Sequence, residues 1–104
     1  MKVVINKCIG GFELSPKAIR RYCKLKGIPP YEFHDKEYDY YLEHTKEGRI
    51  DPLLIQVIEE LSPDANGTSA FLKIVEIPDD VDWYISQPWC DGREVILEEH
   101  RRWC

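Results

Sequence analysis

Residues 3–27, VVINKCIGGFELSPKAIRRYCKLKG, contain the signals that decide the fold: an apolar run, a double glycine and a capped helix. The apolar run is typical of a strand buried on both faces, and it predicts a first strand over residues 2–7. The double glycine at residues 10–11 interrupts that strand. Ser15 and Pro16 then supply a favourable N-cap and a favourable first helical residue.

The helix that follows Pro16 is predicted to be amphipathic. Leu14 and Ile19 have the spacing of a hydrophobic staple around its N-cap. Gly27 is a natural C-terminal stop, and the Pro29-Pro30 pair forbids continuation. One face is apolar and the other basic, with Ile19, Tyr22 and Cys23 on the first and Lys17, Arg20, Arg21 and Lys24 on the second.

Asp51 and Pro52 repeat the same helix-start chemistry later in the chain. An apolar stripe at helical spacing follows, formed by Leu54, Val57, Ile58 and Leu61. Ser62-Pro63 is predicted to end this second helix. Residues 71–77 then have the composition of a strand.

The segment between the two helices is ambiguous. Residues 31–47 mix five aromatic residues with acidic ones, and the spacing over residues 37–42 predicts a strand, a state that aromatic residues favour. Partly irregular structure is the alternative.

Asp91-Gly92 is a strong signal for a hairpin that joins residues 82–90 to residues 93–101. A two-residue turn would place Ile85 opposite Glu98 and Trp83 opposite His100. A C-terminal helix over residues 93–103 is the alternative. With the hairpin, the element order predicts an α+β fold with a small mixed, mostly antiparallel sheet and two helices on one face, in one domain over residues 1–104.

Charge is divided unevenly along the chain. Residues 1–30 carry seven basic side chains and one acidic one, a net charge of +6, and residues 31–104 carry seven basic and eighteen acidic ones, a net charge of −11. The overall charge of −5 argues against general nucleic-acid binding. No apolar stretch is long enough to span a membrane and no secretory signal is visible, so a cytoplasmic protein with reduced cysteines is expected.

Polar residues lie where the first strand meets the glycine turn, an end of the strand at which α/β sheets place ligands. The Gly10-Gly11 turn is neither a phosphate-binding P-loop nor a dinucleotide fingerprint, because the required spacings are missing. It is either a ligand loop at a helix N-terminus or only a tight turn with positive φ. As a ligand loop, its binding residues would be Asn6, Lys7, Gly10, Gly11, Arg20, Lys24, His100, Arg101 and Trp103.

The sequence carries no catalytic signature, and we predict no catalytic residue, metal or cofactor. A zinc site from Cys90, His100 and Cys104 would lack a fourth ligand unless Cys8 supplied it. Proton transfer by Glu94, Glu98 and His100 is a third possibility with no defined partner.

Four stretches, VVINKCIGGFELS, IDPLLIQVIEEL, ANGTSAFLKIVEIPDDVDW and EEHRRW, together resemble a family of small proteins of tailed bacteriophages and prophages. The resemblance covers most of the chain outside residues 28–48, although Gln87-Pro88-Trp89 departs from the more usual Glu-Tyr of the family. It implies a phage origin and a cytosolic setting, and it supplies no mechanism.

By analogy, small phage accessory proteins either sequester nucleotide immune signals, usually as symmetric oligomers, or bind and block a host protein. The leading hypothesis is therefore a homo-oligomeric binding protein for a small anionic ligand such as a nucleotide signal. The alternative is an acidic interaction module that inhibits a host protein, and a small enzyme is the third reading.

Overall fold

The computed structural model describes residues 1–68, 70–87 and 92–98. Its elements in chain order are β1 (Lys2–Asn6), α1 (Pro16–Lys26), α2 (Glu32–Asp35), α3 (Tyr38–His44), α4 (Lys46–Arg49), α5 (Pro52–Leu61), β2 (Leu72–Glu76), β3 (Trp83–Ser86) and β4 (Val95–Glu98). The predicted α+β class is confirmed. No helix in these ranges is long and apolar enough to cross a membrane.

Within the described ranges, the strands form two antiparallel pairs, β1 with β2 and β3 with β4, so the predicted sheet is divided into two. The strand β1 is buried on both faces, as its apolar run predicts. Val4 packs into the core beneath α1 and α5, whereas Val3 and Ile5 pack against Trp83 of β3. The strand β1 therefore separates the helical layer from the C-terminal hairpin.

The two predicted helices are confirmed as α1 and α5. The Ser15 side chain accepts a hydrogen bond from the Ala18 N–H at 3.1 Å, and Gly27 ends α1 in the left-handed conformation with φ 81°. The Asp51 side chain caps α5 by accepting from the Leu53 N–H at 2.8 Å. The predicted apolar faces of both helices contribute buried residues to one core.

A buried hydrogen bond joins the two helices. The Tyr22 hydroxyl on α1 donates to Asp51 Oδ2 at 2.9 Å. Burial and this carboxylate both raise the pKa of Tyr22 far above its usual range, because ionisation would place a buried phenolate beside a negative charge. The helix cap of α5 thus also serves the packing of α1.

The predicted strand over residues 37–42 is wrong, because α3 covers Tyr38–His44. Leu42 is fully buried, and Tyr38 and Tyr41 pack against the same core, which is the spacing of one helical face. Packing of that face outweighs the strand preference of the aromatic residues. The helix begins after Glu37, which adopts the left-handed conformation with φ 59°.

The predicted C-terminal hairpin is confirmed, but its register differs by two residues. Ile85 pairs with Ile96 and Trp83 with Glu98. Glu94 does not extend the ladder, because its N–H donates to the Asn6 carbonyl at the end of β1 at 2.8 Å. An even shift keeps the same side chains on the inner face. The helical alternative is wrong for residues 93–98, and residues 99–103 of that segment and Asp91 lie outside the described residues.

Candidate functional site

Asn6, a predicted ligand residue, is a buried junction between three parts of the chain. Its Nδ2 donates to the carbonyls of Cys8 and Gly92, each at 2.7 Å. Its Oδ1 accepts from the N–H groups of Phe71 at 2.9 Å and Cys8 at 3.3 Å. Two donated and two accepted bonds use the capacity of the amide. Asn6 therefore holds the end of β1 in place and has no capacity left over for a ligand.

The glycine turn is shaped by close backbone packing. Gly10 and Gly11 have φ values of 122° and 99°, which favour glycine. A Cβ on Gly92, whose φ is 98°, would collide with the Gly11 backbone. The geometry supports the tight-turn interpretation, since the two glycine segments touch each other. Lys7 is exposed, and its N–H continues the pairing with β2 through the Phe71 carbonyl at 2.8 Å.

The remaining predicted ligand residues divide into two groups. Arg20 and Lys24 lie exposed, one turn apart, on the basic face of α1. His100, Arg101 and Trp103 lie outside the described residues. Much of the neighbouring positive charge is paired within the fold, through Lys2 with Glu59 at 2.9 Å, Arg21 with Glu60 at 2.9 Å and Lys17 with Asp64 at 3.8 Å.

Sequence reasoning missed a buried ion pair between Arg49 and Glu94. Both residues are only 2% exposed. Arg49 Nη1 lies 2.6 Å from Glu94 Oε1, and Nη2 lies 2.8 Å from Oε2, a bidentate arrangement. No local signal announces the pair, because 45 positions separate its members. Glu94 is held by the guanidinium, which does not suit the proton-transfer role considered for it.

This ion pair closes the edge of β1 that faces away from β2. Arg49 Nη1 donates to the Val4 carbonyl at 3.0 Å, and the Asn6 N–H donates to Glu94 Oε1 at 2.7 Å. Arg49 Nε also donates to the carbonyls of Leu42 and Glu43, both at 3.0 Å, near the end of α3. We call Asn6, Arg49 and Glu94 the buried polar network. It joins β1, α3 and the segment that leads into β4.

Two recesses flank α3. The first, a cleft of about 310 Å³, has mixed charge and contains the buried ion pair at its base. It is lined by Glu43, His44, Thr45, Lys46, Arg49, Tyr84, Ile85, Gln87 and Glu94. Lys46 Nζ also lies 4.5 Å from the centre of the Trp83 ring, a cation–π contact that occupies this ammonium group.

The second recess, of about 210 Å³, is the acidic pocket. Its floor is apolar, formed by Phe12, Leu14, Ile19, Phe33 and Leu42. Its rim is formed by Glu13, His34, Asp39 and Glu43, so the described lining contains three carboxylates and no lysine or arginine. The acidic pocket therefore combines apolar shape with negative potential.

His34 and Asp39 form a half-exposed pair at this rim. His34 Nδ1 lies 3.0 Å from Asp39 Oδ2, and the Tyr40 N–H donates to Asp39 Oδ1 at 2.9 Å. The contact with His34 and, to a smaller extent, the bond from Tyr40 hold the pKa of Asp39 below its usual value. Asp39 is thus a stable negative charge at neutral pH.

Around the acidic pocket, residues 31–44 form what we call the acidic–aromatic surface. Tyr31 and Tyr40 are 69% and 60% exposed, unusually high for such large side chains. Tyr40 packs on His44 with ring centres 4.6 Å apart. Exposed acidic residues lie between them in the chain, namely Asp35, Glu37 and Asp39.

The described ranges hold two of the four cysteines of the chain, Cys8 and Cys23. They contain no group of three or more His, Cys, Asp or Glu side chains arranged to hold a metal. Cys23 is buried, and burial raises the pKa of its thiol, which suits a packing residue. Of the four residues considered for zinc, Cys8 is half-buried, and Cys90, His100 and Cys104 lie outside the described residues.

Comparison of the chain with protein-family models, with curated proteins and with solved structures gave no match. The resemblance to phage and prophage proteins therefore stays a prediction. Functional assignment depends on the geometry of this chain alone, and the acidic pocket with its surrounding surface is the feature with unused binding capacity.

Proposed function

We propose that the protein is an interaction module that binds a partner protein through its acidic–aromatic surface and so covers a basic region of that partner. The observation that carries this proposal is the exposure of Tyr31 and Tyr40 among carboxylates, beside an apolar pocket. Tyrosines anchor protein interfaces, because they bury a large area at a small entropic cost and keep a polar tip.

The distribution of charge supports a basic partner. Three basic side chains of the N-terminal region are paired with acids, as described above, which weakens the positive side of the molecule. The acidic–aromatic surface contains five acidic residues and a single lysine, Lys36. A negative surface attracts a basic partner over long distances and raises the rate of association.

The resemblance to proteins of phages and prophages makes a protein of the bacterial host, met in its cytoplasm, the class of partner to search. The proposed action is steric: once the partner's basic surface is covered, that surface is no longer accessible to its own nucleic-acid or protein ligand. No reaction on this chain is required for such an effect.

The proposal is tested by capture from a bacterial lysate followed by reconstitution with the purified candidate. We expect a stoichiometric complex that weakens as salt is raised and is lost in the Tyr31→Ala/Tyr40→Ala variant. Phe71→Ala, which removes an exposed aromatic side chain outside residues 31–44 and outside both recesses, is the matched control. Equal binding by wild type and the double variant would refute the proposed surface.

A second candidate function is binding of a small anion, such as a nucleotide signal, by a homo-oligomer. It is favoured by the exposed position of Arg20 and Lys24 on one face of α1, with the exposed Lys7 preceding the glycine turn. Calorimetry against cyclic and linear nucleotides tests it, together with light scattering for the oligomeric state. Absence of heat at millimolar nucleotide would eliminate it.

A further inference from the structure

We propose that the acidic pocket is an anchor site that receives one apolar side chain from a lysine- or arginine-rich segment of a partner protein. This inference rests on the proposed function and deepens it, because it names the sequence chemistry that the surface would recognise. The occupant is defined by charge complementarity: an apolar anchor for the floor and positive charges for the rim.

The size and floor of the pocket favour a single side chain. About 210 Å³ lies below the range of roughly 300–1,000 Å³ that is typical of sites for whole small molecules and cofactors. Leu14, Phe33 and Leu42 of the floor are buried core residues, so the floor is held by the packing of α1, α2 and α3. An apolar group that enters the recess therefore meets a preformed wall.

The rim retains capacity to bind cations. A carboxylate offers about four acceptor positions. Among the described residues, Glu13 accepts through Oε1 from the Thr68 N–H at 3.0 Å, and Asp39 accepts one backbone bond and contacts His34. The side chains of Asp39 and Glu43 are 48% and 42% exposed. Positive groups of a partner can approach both without displacing a lysine or arginine of this chain.

The neighbouring cleft shows why the acidic pocket is selective for a basic segment. Lys46 and Arg49 line that cleft together with Glu43 and Glu94, so its acidic and basic side chains balance and it offers no net negative charge. Both recesses share Glu43, so they are adjacent on the surface. A basic segment is therefore attracted more strongly to the acidic pocket than to the cleft on the other side of Glu43.

The test uses a lysine peptide with one central leucine and the same peptide with serine in place of leucine. Binding is followed by the amide chemical shifts of the full chain. Burial of the leucine side chain should give a dissociation constant about tenfold lower than that of the serine peptide. The leucine-dependent shifts should be centred on the floor residues Leu14, Ile19, Phe33 and Leu42.

Two triple variants with equal loss of charge provide the control. Glu13→Gln/Asp39→Asn/Glu43→Gln neutralises the rim and keeps an acceptor at each position, and it should lose the preference for the leucine peptide. Glu47→Gln/Asp80→Asn/Asp82→Asn neutralises exposed acids outside both the pocket and the acidic–aromatic surface, and it should retain that preference. Thermal unfolding of both variants verifies that each is folded.

Three results would overturn the anchor site: equal affinity for the two peptides, equal loss in both triple variants, or octylamine binding as tightly as the leucine peptide. Self-association of the chain through the same floor residues would also overturn it, with a second copy as the occupant. If binding of a captured partner requires Tyr31 and Tyr40 but not the carboxylates of the pocket rim, the proposed function stands and the proposed anchor site is refuted. If the peptides bind as expected but no partner is found, only the proposed function fails.

Discussion

The buried polar network and the acidic pocket both contact α3, and they use polar groups in opposite ways. In the network, the Asn6 side chain makes four hydrogen bonds, and the Glu94 carboxylate is held by Arg49 and by the Asn6 backbone N–H. In the pocket, carboxylates are half exposed over an apolar floor. Polar side chains alone therefore do not indicate a binding site. Polar side chains that keep free hydrogen-bonding positions beside an open recess do.

The largest effect is expected from Arg49→Met, which leaves Glu94 as an unpaired buried charge. Breaking one partner of a buried ion pair costs about 3–5 kcal/mol in the free energy of unfolding. Urea unfolding measures it, with the exposed Arg20→Met as a control that should stay within about 0.5 kcal/mol of wild type. A cost below about 1 kcal/mol for Arg49→Met would contradict the structural role of the network.

A smaller loss is expected from Asn6→Ala. The N–H groups of Cys8 and Phe71 and the carbonyl of Gly92 would lose the partner that satisfies them. Unsatisfied buried groups cost about 1–3 kcal/mol each, although water can reach some of them once the side chain is removed. We therefore expect about 2–3 kcal/mol in the free energy of unfolding. The alanine variant should also exchange its amides faster in β1 than in α5. Uniform exchange across the chain would argue against a local role.

The next-largest effect is expected at alkaline pH, and it concerns the buried hydrogen bond between Tyr22 and Asp51. The pKa of Tyr22 is raised in the folded state, so its contribution is complete below the unfolded value of about 10 and is lost as pH rises above it. Tyr22→Phe should be less stable at pH 7 by about 1.5–3 kcal/mol, because Asp51 loses a buried donor. Its stability should fall less steeply than that of wild type above pH of about 10.

Tyr31→Phe, an exposed substitution, is the control for the alkaline experiment and should follow the wild-type profile. If the free energy of unfolding falls equally steeply with pH in wild type and in Tyr22→Phe, the Tyr22–Asp51 bond does not cause the loss of stability at alkaline pH.

How far the sequence predicts this molecule depends on the distance between interacting residues. The starts of α1 and α5 could be predicted from Ser15-Pro16 and Asp51-Pro52, because a helix cap and its hydrogen-bond partner lie within three positions of each other. The ion pair of Arg49 and Glu94 could not be predicted, because these residues come together only once the chain is folded. Glu94 also explains why the ladder of the hairpin ends at Val95, since its backbone N–H bonds to Asn6 and not to β3.

Only part of the candidate site could be predicted from the sequence. Asn6 stands out in the sequence as a polar residue at the end of an apolar strand, but only one of its three side-chain partners, Cys8, is near it in the chain. Phe71 and Gly92 lie 65 and 86 positions away. The acidic pocket was hidden because the segment around Asp39 was predicted as a strand, and only the helical geometry of α3 brings Asp39, Leu42 and Glu43 around one recess.

The smallest effect on stability is expected from a substitution of Asp39, on the rim of the acidic pocket. Its pKa is lowered in the folded state, mainly by His34, so its contribution to stability is present above the unfolded value of about 3.9 and is lost as pH falls. Because the side chain is half exposed, Asp39→Asn should change stability only slightly at pH 7 and should flatten the acid limb of the profile. The same variant should nevertheless weaken binding of the leucine peptide, a loss that the exposed Asp82→Asn should not reproduce. A large loss of stability at pH 7 in Asp39→Asn would place this residue with the buried polar network, among the groups that hold the fold, and would remove it from the binding surface.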